Sequence, residues 1–303
     1  MTFLDKQDAS DIFFFGSSVM SSATILSLLP VNRDVKDPIM ATEESLLLKV
    51  EGLGKQFGGV RALEGYDLTL KEGELMGLIG PNGAGKSTVF NLLTGVLRPS
   101  KGRIIFRGKD ITGFKPDRNA ALGMARTFQN IRLFNGLRVI DNVKVGIHMR
   151  HGAGLWATVL NLPILRRSEA AMEERALEIL NTFGLMGYKD ELAENLPYGD
   201  QRKIELGRAL ATAPKLLLLD EPAAGMNPQE TDEIIRLISR IHQEHNLTIL
   251  LVEHDMKVIM GACQRIQVID QGKVLCLGTP EEIQNDPRVI EAYLGKPKGH
   301  GHA

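Results

Sequence analysis

Cysteine is scarce in this chain: Cys263 and Cys276 are the only two, and neither stands in a metal-ligand spacing. That excludes a disulfide framework and points to ordinary thiols in a reducing compartment. Net charge is nearly absent as well, with 36 basic residues against 37 acidic ones, which argues against a nucleic-acid binder working through a basic surface. Past the N-terminus no apolar run reaches membrane-spanning length, so the body is expected to be soluble, which still leaves room for a membrane partner. The 303 residues fit one large domain or two modest ones and can bury a substantial core.

What is present changes character along the chain. In residues 1–44, Asp5, Asp8 and Asp11 precede an apolar stretch diluted by Ser17, Ser18, Ser21, Ser22, Thr24 and Ser27. A secretory signal needs basic residues ahead of its apolar part, and a spanning helix tolerates fewer hydroxyls. The segment reads as an extension, disordered or preceding the true start at Met40, with a peripheral amphipathic element and a membrane anchor as alternatives. Residues 297–303 are Pro, Lys, Gly, His and a final Ala and read as a flexible tail; His300 and His302 alone are too sparse for a metal site.

Between these ends, from 45 to 296, the pattern is α/β. Leu47, Lys49 and Glu51, then Tyr66, Leu68 and Leu70, alternate like strands of a half-exposed sheet. Residues 103–106, with Gly108 and Lys109 after them, resemble a hairpin arm. Residues 131–204 are mainly helical by pattern, and 170–180 form the clearest amphipathic stretch. Short buried runs then return at 216–219, tipped by Asp220 and Glu221, and at 247–252, tipped by Glu253 and His254. Continuous apolar runs with charged tips suit parallel strands, whose carboxyl ends are where α/β sheets place ligands.

The strongest single feature is the run Gly80-Pro81-Asn82-Gly83-Ala84-Gly85-Lys86-Ser87-Thr88, which follows an apolar strand (75–79) and opens a helix. Its spacing is that of a phosphate-binding loop. The glycines allow successive N–H groups to aim at one anionic point. The helix starting at Lys86 adds the positive end of its dipole. Lys86 is expected on the β- and γ-phosphates and the Ser87 hydroxyl on Mg²⁺. Asp220 at a rigid strand end can complete the Mg²⁺ shell, and Glu221 can polarise an attacking water.

With these elements in this order, the chain resembles the ATP-binding subunit of an ABC transporter over about residues 46–295. The resemblance implies a P-loop NTPase ABC cassette of the α/β class with a RecA-like core, an antiparallel β arm and an inserted helical subdomain at about 131–204. It assigns Glu221 as catalytic base, Gln129 in Arg-Thr-Phe-Gln-Asn to magnesium and water, and His254 to the γ-phosphate. It also assigns Phe57 to adenine stacking, although the residue pattern alone fits a core aromatic equally. The family signature, usually Leu-Ser-Gly-Gly-Gln, stands here as Leu196-Pro197-Tyr198-Gly199-Asp200. Pro197 has neither hydroxyl nor N–H, so the expected nucleotide clamp is the end of a helix over 200–212, with the Gly199 amide at its mouth. Asn227 stands where aspartate is frequent.

The wording of 126–134, of the Pro-Tyr-Gly-Asp signature and of 220–228 is similar to the LivG-type ATPases of branched-chain amino acid importers. That resemblance implies two permease subunits, a second ATP-binding subunit, an extracytoplasmic solute-binding protein acting indirectly, and a place on the cytoplasmic face of the cell membrane. A urea or amide importer, a lipopolysaccharide-type exporter and a non-transport ABC ATPase remain as alternatives. DNA-repair relatives carry a long coiled coil between phosphate loop and signature, and no sustained heptads occur here.

Overall fold

The structure is a computed structural model that describes residues 46–151 and 163–294. The extension at 1–44 with its alternative readings, residues 152–162 and the tail at 297–303 lie outside the described residues. The chain divides into two units, Met1–Thr42 and Glu43–Ala303, and every described residue belongs to the second.

Two sheets organise that unit. The first has the order β2-β1-β4-β5, built from β1 (Leu46–Phe57), β2 (Val60–Lys71), β4 (Lys101–Phe106) and β5 (Lys109–Asp110), and its pairings are antiparallel. The alternation expected around Leu47 fails locally, because Leu47 and Leu48 are both buried where the pairing with β2 shifts register between Leu46 and Leu48. A bulge turns consecutive side chains toward the same interior. Lys49, Tyr66, Leu68 and Leu70 keep the alternating pattern, with Lys49 exposed and the other three buried.

The second sheet has the order β10-β9-β3-β8-β7-β6. It comprises β3 (Leu75–Ile79), β6 (Met124–Arg126), β7 (Leu216–Asp220), β8 (Thr248–Val252), β9 (Arg265–Asp270) and β10 (Lys273–Gly278). All its pairings but β9 with β10 are parallel. Every residue of β3, β7 and β8 is buried, as strands covered on both faces require. Period-two geometry then sorts them. Leu216, Leu218, Leu250 and Val252 join the core shared with the first sheet and with helix α1 (Lys86–Leu93). Leu217, Leu219, Ile249 and Leu251 join a second core under the helices.

Those helices include α3 (Val139–His151), α4 (Pro163–Thr182) and α5 (Tyr198–Ala211), which follow a short α2 (Pro116–Ala121). They supply Val139, Val143, Ile147, Ala176, Ile179, Leu206 and Leu210 to one core. At Gly146 a Cβ would stand 2.3 Å from the Arg208 carbonyl, so α3 and α5 touch backbone to backbone there. Helix α6 (Pro228–His245) starts with a capping box: the Asn227 side chain accepts the Glu230 N–H and Glu230 returns to the Asn227 N–H. That is the work of Asn227 within this chain. Three short helices follow, α7 (Met256–Ala262), α8 (Pro280–Asn285) and α9 (Pro287–Leu294).

Register decides where the chain's charged tips meet. Leu78 pairs with Val252 and Val252 with Asp220, so the exits of β3, β8 and β7 are level. Gly80, Glu253 and Glu221 therefore leave the sheet at one edge. Gly80 is fixed there: its φ is +155 and a Cβ would stand 2.0 Å from the Ile269 carbonyl oxygen. Gly80→Ala should therefore force the loop off β9 and destabilise the fold by about 2 kcal/mol or more. Urea denaturation checks this, and an unchanged midpoint would contradict the close approach.

Candidate active site

The expected phosphate loop is a strand-to-helix turn. Ala84 donates its N–H to the Pro81 carbonyl and Val89 to Gly85, while the Gly272 N–H braces the Ala84 carbonyl from the β9–β10 turn. Gly85 caps α1 with a left-handed φ of 111 and no side-chain bond, so the first N–H groups of the helix keep their direction toward an anion. Asn82, Gly83 and Ser87 are exposed, Thr88 is half-buried, and Ala84 and Lys86 are buried. The Lys86 Nζ donates to the carbonyls of Gly80 at 2.5 Å and Pro81 at 3.1 Å. Burial pushes its ammonium below the ordinary lysine value, and the charges of Glu221 and Asp220 work against that shift. A phosphate has to compete with those two carbonyls for Lys86.

Asp220 and Glu221 divide their tasks by position. Asp220 has the parity of Leu216 and Leu218 and points to the α1 side of the sheet. There its Oδ2 accepts Arg126 Nη2 at 2.8 Å, in a pair only 9% and 10% exposed. Arg126 is anchored in turn by Asn91 Oδ1 at 2.7 Å and Thr94 Oγ1 at 3.4 Å on and beside α1. The ring centroids of Phe90 and Phe128 lie 5.5 and 5.1 Å from its guanidinium carbon. Glu221 sits one residue further on, at a φ of +49, held by its N–H on the Val252 carbonyl. Its Oε2 accepts Gln129 Nε2 at 2.8 Å and lies 3.9 Å from His254 Nδ1. Gln129 and His254 are both exposed. The structure thus brings Lys86, Gln129, Asp220, Glu221 and His254 to one sheet edge.

Three further residues do structural work there that the sequence reading did not assign. Arg126 is one. Glu253, 1% exposed, accepts the Ala223 N–H at 2.9 Å and the His254 N–H at 3.3 Å. Burial pushes its carboxyl above the usual range, against the pull of these bonds. Arg202, fully buried with Glu205 at 2.8 Å, donates to the carbonyls of Phe128 and Gln129, both at 2.7 Å. A charge at the tip of a buried strand has to find a counter-charge or N–H groups, and that rule was the available signal for Arg126 and Glu253.

Leu196, Pro197, Tyr198, Gly199 and Asp200 stand apart from the phosphate loop. No hydrogen bond among the described residues joins the two segments. Helix α5 starts at Tyr198, two residues before the expected 200, because Pro197 at φ −53 already has the helical value and serves as an uncapped N-cap. Asp200 pairs with Lys203 at 2.9 Å, and Leu196 accepts the Gln201 side chain. A cleft of about 220 Å³ opens at this helix end, lined by Pro197, Gly199, Asp200, Lys203, Met226 and Glu230 among others. Phe57 is 46% exposed, at the tip of a hairpin whose Ala62 carbonyl lies against Gly85. The core reading of Phe57 therefore fails, and Lys55 Nζ lies 5.1 Å from its ring.

For a metal, the relevant donors are hard oxygens: the exposed Ser87 hydroxyl and Asp220. Among the described residues no three His, Cys, Asp or Glu side chains gather into a cage. The set suits Mg²⁺, which is bound through one or two carboxylates and completes its shell mainly with phosphate oxygens and water. Because Asp220 is buried, Arg126→Met should leave an uncompensated carboxylate and destabilise the fold by about 3 kcal/mol. Chemical denaturation measures this, and a loss below about 1 kcal/mol would show that the pair is dispensable.

The comparisons with known proteins agree on one family. A family model described as ABC transporter matches residues 63–224, and one described as branched-chain amino acid ATP-binding cassette transporter matches 273–298. The chain is 48% identical over 250 residues to the high-affinity branched-chain amino acid transport ATP-binding protein LivG of Salmonella typhimurium, covering 82% of this chain and 98% of that one. It is 44% identical, with the same coverage, to BraF of Pseudomonas aeruginosa, which carries the same description. A solved nucleotide-free ATP-binding cassette from an ABC transporter aligns with a TM-score of 0.72 at 32% identity, over 83% of this chain and 100% of its own. The phosphate loop, the carboxylate-tipped strand and the two sheets therefore sit in a known frame, and the chain belongs to the ATP-binding cassettes of ABC transporters, a family of ATPases.

Proposed function

We propose that this cassette binds ATP with Mg²⁺ and hydrolyses it to drive uptake of branched-chain amino acids through two transmembrane permease subunits. It works as a peripheral subunit on the cytoplasmic face of the cell membrane, paired with a second cassette and served indirectly by an extracytoplasmic solute-binding protein. The observation that carries the reading is the convergence of Lys86, Gln129, Asp220, Glu221 and His254 on one sheet edge beside the phosphate loop. No helix among the described residues is long and apolar enough to cross a membrane. The solute class rests on the names of the relatives and on the match at 273–298.

In this reading Phe57 stacks on adenine, and the N–H groups of 80–88 and of the first turn of α1 cradle the phosphates. Lys86 exchanges the carbonyls of Gly80 and Pro81 for β- and γ-phosphate oxygens. Ser87, Asp220 and Gln129 would hold Mg²⁺, which would neutralise phosphate charge when bound. Glu221 takes a proton from the attacking water as its oxygen bonds the γ-phosphorus and the bond to the bridging oxygen breaks. His254 donates to the γ-phosphate. The uncapped start of α5, with Leu196, Pro197, Tyr198, Gly199 and Asp200, closes the nucleotide site of the partner cassette. Each chain thus carries two half-sites, and a two-fold pair closes both.

Reconstitution with the permeases tests this reading. ATP-driven uptake of leucine is expected, with urea and short amides excluded. Glu221→Gln should still bind ATP, favour an ATP-held pair, and lower turnover by about 10² or more, as removal of a general base does. Near-normal hydrolysis by that variant contradicts the role of Glu221, and uptake of urea but not leucine contradicts the solute class.

A further inference from the structure

Four segments at this end of the molecule come from distant parts of the chain: 127–130, 196–200, 221–227 and 253–255. Hydrogen bonds stitch them together. Arg202 on α5 holds the carbonyls of Phe128 and Gln129, and its Nη2 also lies 3.4 Å from the Tyr198 hydroxyl oxygen. That hydroxyl donates to the Ala224 carbonyl at 3.2 Å. Next to it, Ala223 donates its N–H to Glu253, which also accepts the N–H of His254. The tyrosine ring lies flush on the same loop, since a Cβ at Gly225 would stand 3.7 Å from it.

Tyr198 occupies a place where the usual signature has glycine, and glycine has nothing to reach Ala224 with. Its hydroxyl accepts from Arg202 and donates to Ala224 at once, which only a group with both capacities can do. We propose that the Tyr198 hydroxyl is a positioning group for hydrolysis: it fastens the start of α5 to the loop after Glu221. The helix end that serves one nucleotide and the Glu221–His254 pair that acts on the other then move as a unit. This rests on the paired-cassette reading above. The Tyr198 hydroxyl is spent on Arg202 and Ala224 within its own chain, so removing the hydroxyl alone acts on the alignment of Glu221 and on communication between sites, while the ring and backbone that help close the partner's nucleotide site stay.

The test is Tyr198→Phe in the assembled transporter, with turnover measured against ATP concentration. The ring and its packing stay, and only the two hydrogen bonds go. The expected result is a kcat lower by about threefold or more, since two hydrogen bonds of about 0.5–1.5 kcal/mol each are lost. KM should stay within about twofold, and the Hill coefficient should fall toward 1 from a wild-type value above 1. An unchanged kcat and Hill coefficient in a cooperative background overturn the proposal and leave the paired-cassette reading intact. A raised KM at unchanged kcat also overturns it, because the hydroxyl would then serve binding. A wild type that hydrolyses ATP without cooperativity contradicts the paired-cassette reading and removes the proposal with it.

Discussion

Charge gathered at the ends of buried parallel strands must be paired, and that constraint organises this molecule. The register that levels Leu78, Val252 and Asp220 brings a lysine and three carboxylates to one edge. Each is satisfied by a different device. Lys86 uses the carbonyls of its own loop, Asp220 a buried arginine, Glu221 an amide side chain, and Glu253 two backbone N–H groups. Such pairing keeps polar groups from remaining buried and unsatisfied. It also means that a triphosphate with its cation replaces existing bonds and does not enter an unstructured cavity.

The partners differ in how readily they yield. Arg126 is locked among Asn91, Phe90 and Phe128, so Asp220 stays where the strand puts it. Gln129 and His254 are exposed and approach Glu221 from loops. The carbonyls of Phe128 and Gln129 are nevertheless tied to α5 through Arg202. Helix α5 and the segment that carries Gln129 are therefore fastened to each other beside Glu221. That link is short and runs through a fully buried ion pair.

Much of this was legible in the sequence, for definite reasons. The loop 80–88 has a spacing that almost only phosphate binding requires, and four successive leucines before Asp220 force a buried strand with a polar tip. Both signals are local. The groups that were missed act across the chain: Arg126 meets a residue 94 positions away, and Arg202 one 74 positions away. Neither distance leaves a trace in periodicity. The start of α5 lies two residues before the expected 200, because Pro197 is itself the N-cap and Tyr198 already belongs to the helix. Phe57 was ambiguous because an aromatic at a hairpin tip and one in a core look alike until the pairing with Val60 is known.

The central claim is that the charged edge is one hydrogen-bonded unit whose partners are exchanged for nucleotide. A crystal structure of the full chain with Mg²⁺ and a non-hydrolysable ATP analogue tests it most directly. The expected result has Lys86 Nζ moved from the carbonyls of Gly80 and Pro81 to phosphate oxygens, the Gln129–Glu221 bond opened, and Arg126 still on Asp220. A nucleotide bound with the bonds of Lys86 and Gln129 intact would contradict the account.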